Sequence, residues 1–390
     1  MSNSLCILPW ISLEATPTGN FRPCCLAEDS IVDNEGNAYD IAKGDTLEQA
    51  FNSEYMDVLR NQFLQGEHPS TCKKCWALEA SGGESKRIIS NKKFGVDTSN
   101  KKLSFLDLKL GNICNLKCRI CGTWSSSKWA QEEIALGNED AKRVLKLGAW
   151  PRKENRLWNE VVDMLQDVEY FEFTGGEPFL IQEHFDLLQK SAELGHAGKQ
   201  EIHYNTNGTT FPKKAVDDIW PHFKIVEIAF SIDDIGNRFE YQRHGAKWEQ
   251  VEANIQKFND LKTHNRNIKT QICCTINIQN IYNLDKIADW IKTQNFDYVY
   301  YNYLHESKEW NTQYLPLHIK QKIEKKLSNY DNDKFHKEQL QGAINFMMNN
   351  HLDNEKMTEL RKIKILGSDQ FRNESFAKTF PELKELVCQS

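Results

Sequence analysis

Leu103-Ser-Phe-Leu-Asp-Leu-Lys-Leu110 alternates apolar and polar side chains, and three residues later comes Cys114-Asn-Leu-Lys-Cys118-Arg-Ile-Cys121. Alternation with a period of two marks a strand with one buried face. The C-x3-C-x2-C spacing on the loop leaving that strand is metal-binding chemistry. Structural zinc takes four ligands, usually from two C-x2-C halves. Three thiolates on one short loop suit instead a cubane iron–sulfur cluster, with three irons ligated and the fourth left open.

Outward from this loop, strand and helix patterns alternate. Leu157, Val161, Val162 and Leu165 stand at helical spacing within residues 154–167. Residues 168–173 read as a strand closed by Thr174-Gly-Gly-Glu-Pro178, and a helix near 183–195 leads to a strand over 201–205 closed by Thr206-Asn-Gly208. Helices near 213–220, 247–263 and 282–294 lead in turn to strands over 225–231, 268–278 and 298–304. Six strand–helix units predict an α/β fold with parallel pairing and right-handed crossovers. They are too few for an eight-stranded closed barrel and suit an open, partial (βα)6 TIM-like barrel, with its chemistry at the carboxyl ends of the strands.

That barrel is expected over residues 103–310, with a helical C-terminal extension over 311–390 as a cap. Residues 1–80 are punctuated by Gly, Pro and Cys around one helix near 46–64, and read as a separate cysteine-rich module. Between them, 81–102 holds Lys86, Arg87, Lys92, Lys93, Lys101 and Lys102 against Glu84 and Asp97. It reads as a solvated basic linker, or as a basic patch near a substrate mouth.

Composition narrows the class. The 390 residues carry 49 Lys+Arg against 55 Asp+Glu, a formal charge of −6. A protein that tracks phosphates usually has a basic excess, which disfavours a nucleic-acid partner. No apolar run reaches the roughly 18 residues of a membrane span, and no basic segment leads into an apolar one at the start. A cytoplasmic protein without a membrane partner is expected. Eight of the eleven cysteines lie before residue 122. In a reducing compartment, such clustering points to metal rather than disulfides.

With the Cys114/Cys118/Cys121 loop, the motifs after successive strands make the chain resemble the radical SAM superfamily over about residues 103–304. The resemblance implies that the cluster reduces S-adenosylmethionine (SAM) to a 5′-deoxyadenosyl radical. Thr174-Gly175-Gly176-Glu177-Pro178 resembles the family's GGEP motif, where backbone and the Glu carboxylate meet the SAM ammonium. Asn207 lies in the segment resembling its TNG. Ser231 resembles the ribose or carboxylate contact, Arg243 the guanidinium that pairs with the SAM carboxylate, and Asn277 the polar ribose contact. Ile120 stands where the family often has an aromatic residue that packs on adenine.

Cys6, twelve residues, Gly19-Asn-Phe-Arg-Pro-Cys24 and then Cys72-Lys-Lys-Cys75 are similar to the SPASM/twitch extensions of these enzymes. There, such cysteines bind an auxiliary [4Fe-4S] cluster. The resemblance implies Cys6, Cys24, Cys72 and Cys75 as ligands, with Cys25 as the alternative to Cys24, and a four-thiolate zinc site as the alternative metal. The family usually places this extension after the barrel; here it comes before.

Cys273 and Cys274 are adjacent in a strand, so at most one faces the interior, and they read as packing residues. Cys388 reads as a free thiol. Trp124 could shield the cluster, and Trp129 reads as helix packing. Asp233 is the candidate substrate contact or proton acceptor, with strand-end hydrogen bonding as its competing role. The expected activity is a radical SAM oxidoreductase that abstracts hydrogen from a peptide or protein, with an electron donor such as flavodoxin or ferredoxin. The competing readings are a dehydrogenase or epimerase of a sugar, aminocyclitol or nucleotide-like molecule, and a non-catalytic zinc protein.

Overall fold

A computed structural model describes residues 4–80, 83–152, 155–305, 307–349 and 355–388. In chain order, its strands among these residues are β1 (Ser12–Ala15), β2 (Phe21–Arg22), β3 (Phe105–Lys109), β4 (Lys117–Cys118), β5 (Tyr170–Thr174), β6 (Glu201–Thr206), β7 (Ile225–Ser231), β8 (Arg243–His244), β9 (Ile268–Ile276) and β10 (Tyr298–Tyr303). The chain divides into two compact units. The first takes Met1–Asn115, Gly122–Thr206 and Phe211–Ile228; the second takes Leu116–Cys121, Asn207–Thr210 and Ala229–Ser390.

In the first unit β1, β3, β5 and β6 lie side by side in that order, all parallel, with β2 antiparallel on the far edge of β1. Helix Asn155–Met164 precedes β5, and helix Gln182–Glu193 joins β5 to β6. In the second unit β9 and β10 are parallel across helix Leu284–Thr293, and β4 and β8 form a short antiparallel pair. Helices Leu317–Leu327, Lys334–Met348 and Glu355–Arg372 follow. This is an α/β fold with a mostly parallel sheet, as the alternating pattern predicts. No helix among the described residues is long and apolar enough to cross a membrane.

One face of the first unit's sheet is its core. Leu13, Ala15, Leu106, Leu108, Phe171, Phe173, Ile202 and Tyr204 are all buried. Phe173 stacks on Phe171 with ring centroids 5.4 Å apart, lies 5.4 Å from Tyr204, and meets His184 of the covering helix at 4.9 Å. His184 is fixed between the Ile181 carbonyl at 2.6 Å and the Tyr204 hydroxyl at 3.2 Å. Burial holds its ring down to about 3, so it packs as neutral imidazole.

Three features differ from the sequence expectation. Residues 12–15 were expected in a separate module, but they form β1 and pair with β3 from Ser12↔Phe105 to Ala15↔Leu108. Leu13 and Ala15 enter the same apolar face, and burying them is the reason the strand joins that sheet. The helix expected over 46–64 is two helices, Leu47–Phe51 and Glu54–Leu64, because Ser53 caps the second by accepting from Met56 N.

The basic linker is also replaced by a structured element. Ser85 caps a helix over Lys86–Phe94 whose Arg87 and Ser90 are buried. Lys93 pairs with Glu201 at 3.0 Å and Lys102 with Asp167 at 2.8 Å, so these cations are neutralised rather than presented as a patch.

Phe173→Ala removes the ring at the centre of this cluster. It is expected to lower stability by about 3–5 kcal/mol in urea denaturation, as an unfilled core site does.

Candidate active site

The first unit contributes the turn after β5. Gly176 N donates to Gly111 O at 3.0 Å and Glu177 N to Ile113 O at 2.9 Å, stitching the Gly-Gly-Glu-Pro turn to the segment that leads into Cys114. The approach is close enough to demand glycine. Gly175 has φ +108°, and a Cβ on Gly176 would lie 2.2 Å from the Ile113 carbonyl oxygen. Glu177 is buried and accepts from Phe179 N at 3.2 Å and from Thr206 Oγ1 at 2.7 Å. Cys114 is held by Ser127, whose hydroxyl accepts from Cys114 N at 3.3 Å and lies 3.2 Å from Cys114 O. The buried Thr174 hydroxyl, at the end of β5, has no hydrogen-bond partner among the described residues.

The second unit holds the rest of the cysteine loop. Cys118 of β4 lies opposite Arg243 of β8, Arg119 N donates to Gln242 O at 2.7 Å, and Cys121 N donates to Cys118 O at 3.0 Å. Arg243 brings Nη1 to 3.7 Å from Cys118 Sγ and Nη2 to 2.7 Å from Asp233 Oδ2. Asp233 Oδ1 accepts from Thr275 N at 3.0 Å. Both carboxylate oxygens of the candidate proton acceptor are therefore engaged. Arg243 Nε, by contrast, is buried without a partner among the described residues.

The other candidates in this unit are structurally engaged. Asn277 donates to Thr275 O at 3.0 Å and accepts from Gln279 N at 2.8 Å. Asn207 accepts from Thr209 N at 2.9 Å and Thr209 Oγ1 at 2.6 Å. Ser231 ends β7, and both it and Ile120 are half-buried.

None of the eleven cysteines is joined in a disulfide among the described residues. Burial raises the Cys6 thiol, and the charges of Cys24, Cys72 and Cys75 push the same way. Cys25 faces elsewhere: Lys86 Nζ lies 2.9 Å from its sulfur. Cys274 is buried and Cys273 half-buried, while Cys388 and Trp124 are exposed.

Four residues that sequence reasoning missed organise the second unit's part. Arg119, inside the cysteine loop, is buried and paired with Asp369 at 2.8 Å and with Glu374, its guanidinium carbon 4.1 Å from the Tyr241 ring centroid. Tyr241 hydroxyl donates to the same Asp369 oxygen at 2.7 Å. A buried charge between two motif cysteines was the only available signal, and it names no partner.

These residues fit the groups that the motifs imply. Three thiols on one loop match in number the donors of a cluster with one open iron. The Arg243 Nε–H and the Thr174 hydroxyl are buried without hydrogen-bond partners among the described residues. Residues 108–291 match the family model described as the Radical SAM superfamily. Over those residues the chain is similar to that superfamily. A GTP 3′,8-cyclase of Mannheimia succiniciproducens is similar at 23% identity over 198 residues, 50% of this chain and 52% of that protein. The chain therefore spans about half the length of that relative.

Among solved structures, native anSMEcpe with bound AdoMet aligns at TM-score 0.36 and 19% identity, covering 51% of this chain and 52% of that one. SuiB of Streptococcus suis aligns at TM-score 0.36 and 14% identity, covering 88% and 66%.

Two stability measurements check the scaffold around the cysteine loop. Asp369→Ala leaves Arg119 with one anion and Tyr241 with none, and should cost about 3 kcal/mol in urea denaturation. Asp234, buried and hydrogen-bonded to Asn283 at 2.7 Å and Gln242 at 3.0 Å, has its carboxyl pushed by burial from 3.8 up to about 7. A carboxyl that holds its proton to higher pH when folded favours folding fully below about pH 4. That contribution is lost as the pH rises to about 7. Asp234→Asn should remove this fall from the stability–pH curve.

Proposed function

We propose that the chain is a radical SAM oxidoreductase with two [4Fe-4S] clusters in a partial (βα)6 barrel, abstracting a hydrogen atom from its substrate. The observation that carries this reading is the unpartnered, buried Arg243 Nε beside Cys118, a donor waiting for an anion at the three-thiol loop. Cys114, Cys118 and Cys121 would hold the SAM-binding cluster, and Cys6, Cys24, Cys72 and Cys75 the auxiliary one. The turning of Cys25 toward Lys86 favours Cys24 as the fourth ligand.

When bound, the cluster and SAM supply reductive cleavage of the sulfonium and so a 5′-deoxyadenosyl radical. The chain's own residues then bind and orient. Arg243 offers its Nε to the SAM carboxylate while Asp233 fixes the guanidinium plane, a charge-assisted contact. Gly175 and Gly176 let backbone approach the ligand, and Glu177, anchored by Thr206, faces its ammonium. Ser231, Asn207 and Asn277 shape the ribose side, and Ile120 offers an apolar surface to adenine. In this reading Asp233 positions Arg243 rather than accepting a proton.

The auxiliary cluster would accept the substrate electron or bind substrate, with a flavodoxin or ferredoxin as the electron donor in a reducing compartment. A peptide or protein is the first substrate class and a sugar, aminocyclitol or nucleotide-like molecule the second. A groove at the mouth would suit the former, a lidded pocket the latter.

Anaerobic reconstitution should give about eight irons per chain, the content of two cubanes. Stoichiometric zinc without iron–sulfur absorbance would overturn the reading. Replacing Cys114, Cys118 and Cys121 together with Ala should abolish SAM cleavage while about four irons remain. Replacing Cys72 and Cys75 should leave uncoupled SAM cleavage and lose turnover; normal turnover there would remove the auxiliary role.

A further inference from the structure

The face of the first unit's sheet opposite its apolar core is charged along one transverse row. Arg22 of β2 lies opposite Glu14 of β1, Glu14 opposite Asp107 of β3, Asp107 opposite Glu172 of β5, and Glu172 opposite His203 of β6. His203 Nδ1 then meets Glu227 of β7 at 2.9 Å. Lys86, from the helix Lys86–Phe94, and Lys109, two residues beyond Asp107, add two ammonium groups.

Most of these charges are matched. Arg22 grips Glu14 through Nε at 2.7 Å and Nη2 at 2.8 Å, and Lys109 Nζ reaches the same carboxylate at 3.0 Å. Lys86 Nζ donates to Glu172 at 3.1 Å and lies 2.9 Å from Cys25 Sγ. Asp107 differs. It is 1% exposed, and neither of its oxygens has a hydrogen-bond partner among the described residues. Lys86, already committed to Glu172, stands 3.9 Å away.

Arg22, Lys86 and Lys109 stand among Glu14, Asp107, Glu172 and Glu227, and of these carboxylates Asp107 is the one whose two oxygens have no hydrogen-bond partner among the described residues. The row is nevertheless wet. Lys86, Lys109, Glu172, His203 and Glu227 each keep between 14 and 22% of their side-chain surface open.

A metal ion is one occupant to weigh, because Cys25, Asp107 and Glu172 bring one ligand atom each within 4.8 Å of one another. The Lys86 ammonium already lies against two of those three, so a cation's place there is filled. What the row lacks, among the described residues, is a hydrogen-bond donor to Asp107.

We infer that Asp107 anchors a primary ammonium group of the substrate in this charged recess. Lys109 stands ready to donate to an oxygen carried next to that amine. The inference rests on the radical reading only in calling the ligand a substrate. Burial, and then the Glu172 carboxylate, push the Asp107 carboxyl up to about 7, against the opposing pull of Lys109 and Lys86. The ammonium has two chemical sources: an aminated sugar or cyclitol, or a lysine side chain of a peptide.

Saturation-transfer NMR on the anaerobic full-length protein separates them. Glucosamine is titrated against glucose, and Nα-acetyl-lysine methylamide against Nα-acetyl-norleucine methylamide. One amine probe should bind about tenfold more tightly than its amine-free twin, the worth of a hydrogen bond to a charged group. The pair that shows it names the source. Asp107→Asn should erase the difference.

Equal binding within both pairs, or a preference that survives in Asp107→Asn, overturns the inference. Without any probe, Asp107→Asn should raise Tm by about 2–4 °C, because it removes an unmatched buried charge. A lower Tm, or a variant that fails to fold, makes Asp107 a structural partner and overturns the inference too. Wild-type SAM cleavage, measured in the same preparation, reports on the radical reading separately.

Discussion

A parallel sheet has two faces, and the first unit can afford an apolar contact on only one of them. Strand alternation sends Leu13, Leu106, Phe171 and Ile202 to one side. The same alternation sends Glu14, Asp107, Glu172 and His203 to the other, in a single register. Buried charges persist only when opposite charges and donors surround them. That constraint accounts for the inward stems of Lys86 and Lys109, the two-toothed grip of Arg22 on Glu14, and the seating of helix Lys86–Phe94. It also separates Cys25 from Cys24, because the Lys86 ammonium that answers Glu172 takes the Cys25 sulfur as well.

The parts of the fold that were legible in the sequence are those where one period dominates. The strands at 105–109, 170–174, 201–206 and 225–231 alternate over five or more residues, and each ends within two residues of its expected limit. The Cys114 loop, Gly175-Gly176-Glu177 and Asn207 stand out because residue type and spacing both carry chemistry. β1 escaped notice because four residues between Pro/Gly-bearing turns show too few repeats to count. The helix Lys86–Phe94 read as a linker because its cations look solvated until their partners on β5 and β6 are known.

Pairings across long chain separations were beyond reach for a different reason. Arg119 and Asp369 lie 250 residues apart, and Cys118 and Arg243, 125 apart, meet where β4 pairs with β8. Each charged residue alone looks like an ordinary surface charge. The same holds for Asp107 and Glu172, whose shared level on the sheet follows from strand order and not from spacing along the chain. The candidate site was thus readable as a set of motifs, while the charge pairs that hold them in place were not.

The anchoring of the cysteine loop also has a bearing on how the protein is made. Segment 116–121 takes its ties from Gln242, Arg243, Asp369 and Glu374, all of which leave the ribosome after it. Until residue 374 has been synthesised, Arg119 has neither of its carboxylate partners. Until residues 242–244 follow, the segment lacks its β8 neighbours as well. The helix Glu355–Arg372, remote in sequence, brings Asp369 to Arg119 and so supplies the latest-made of the segment's ties but for Glu374.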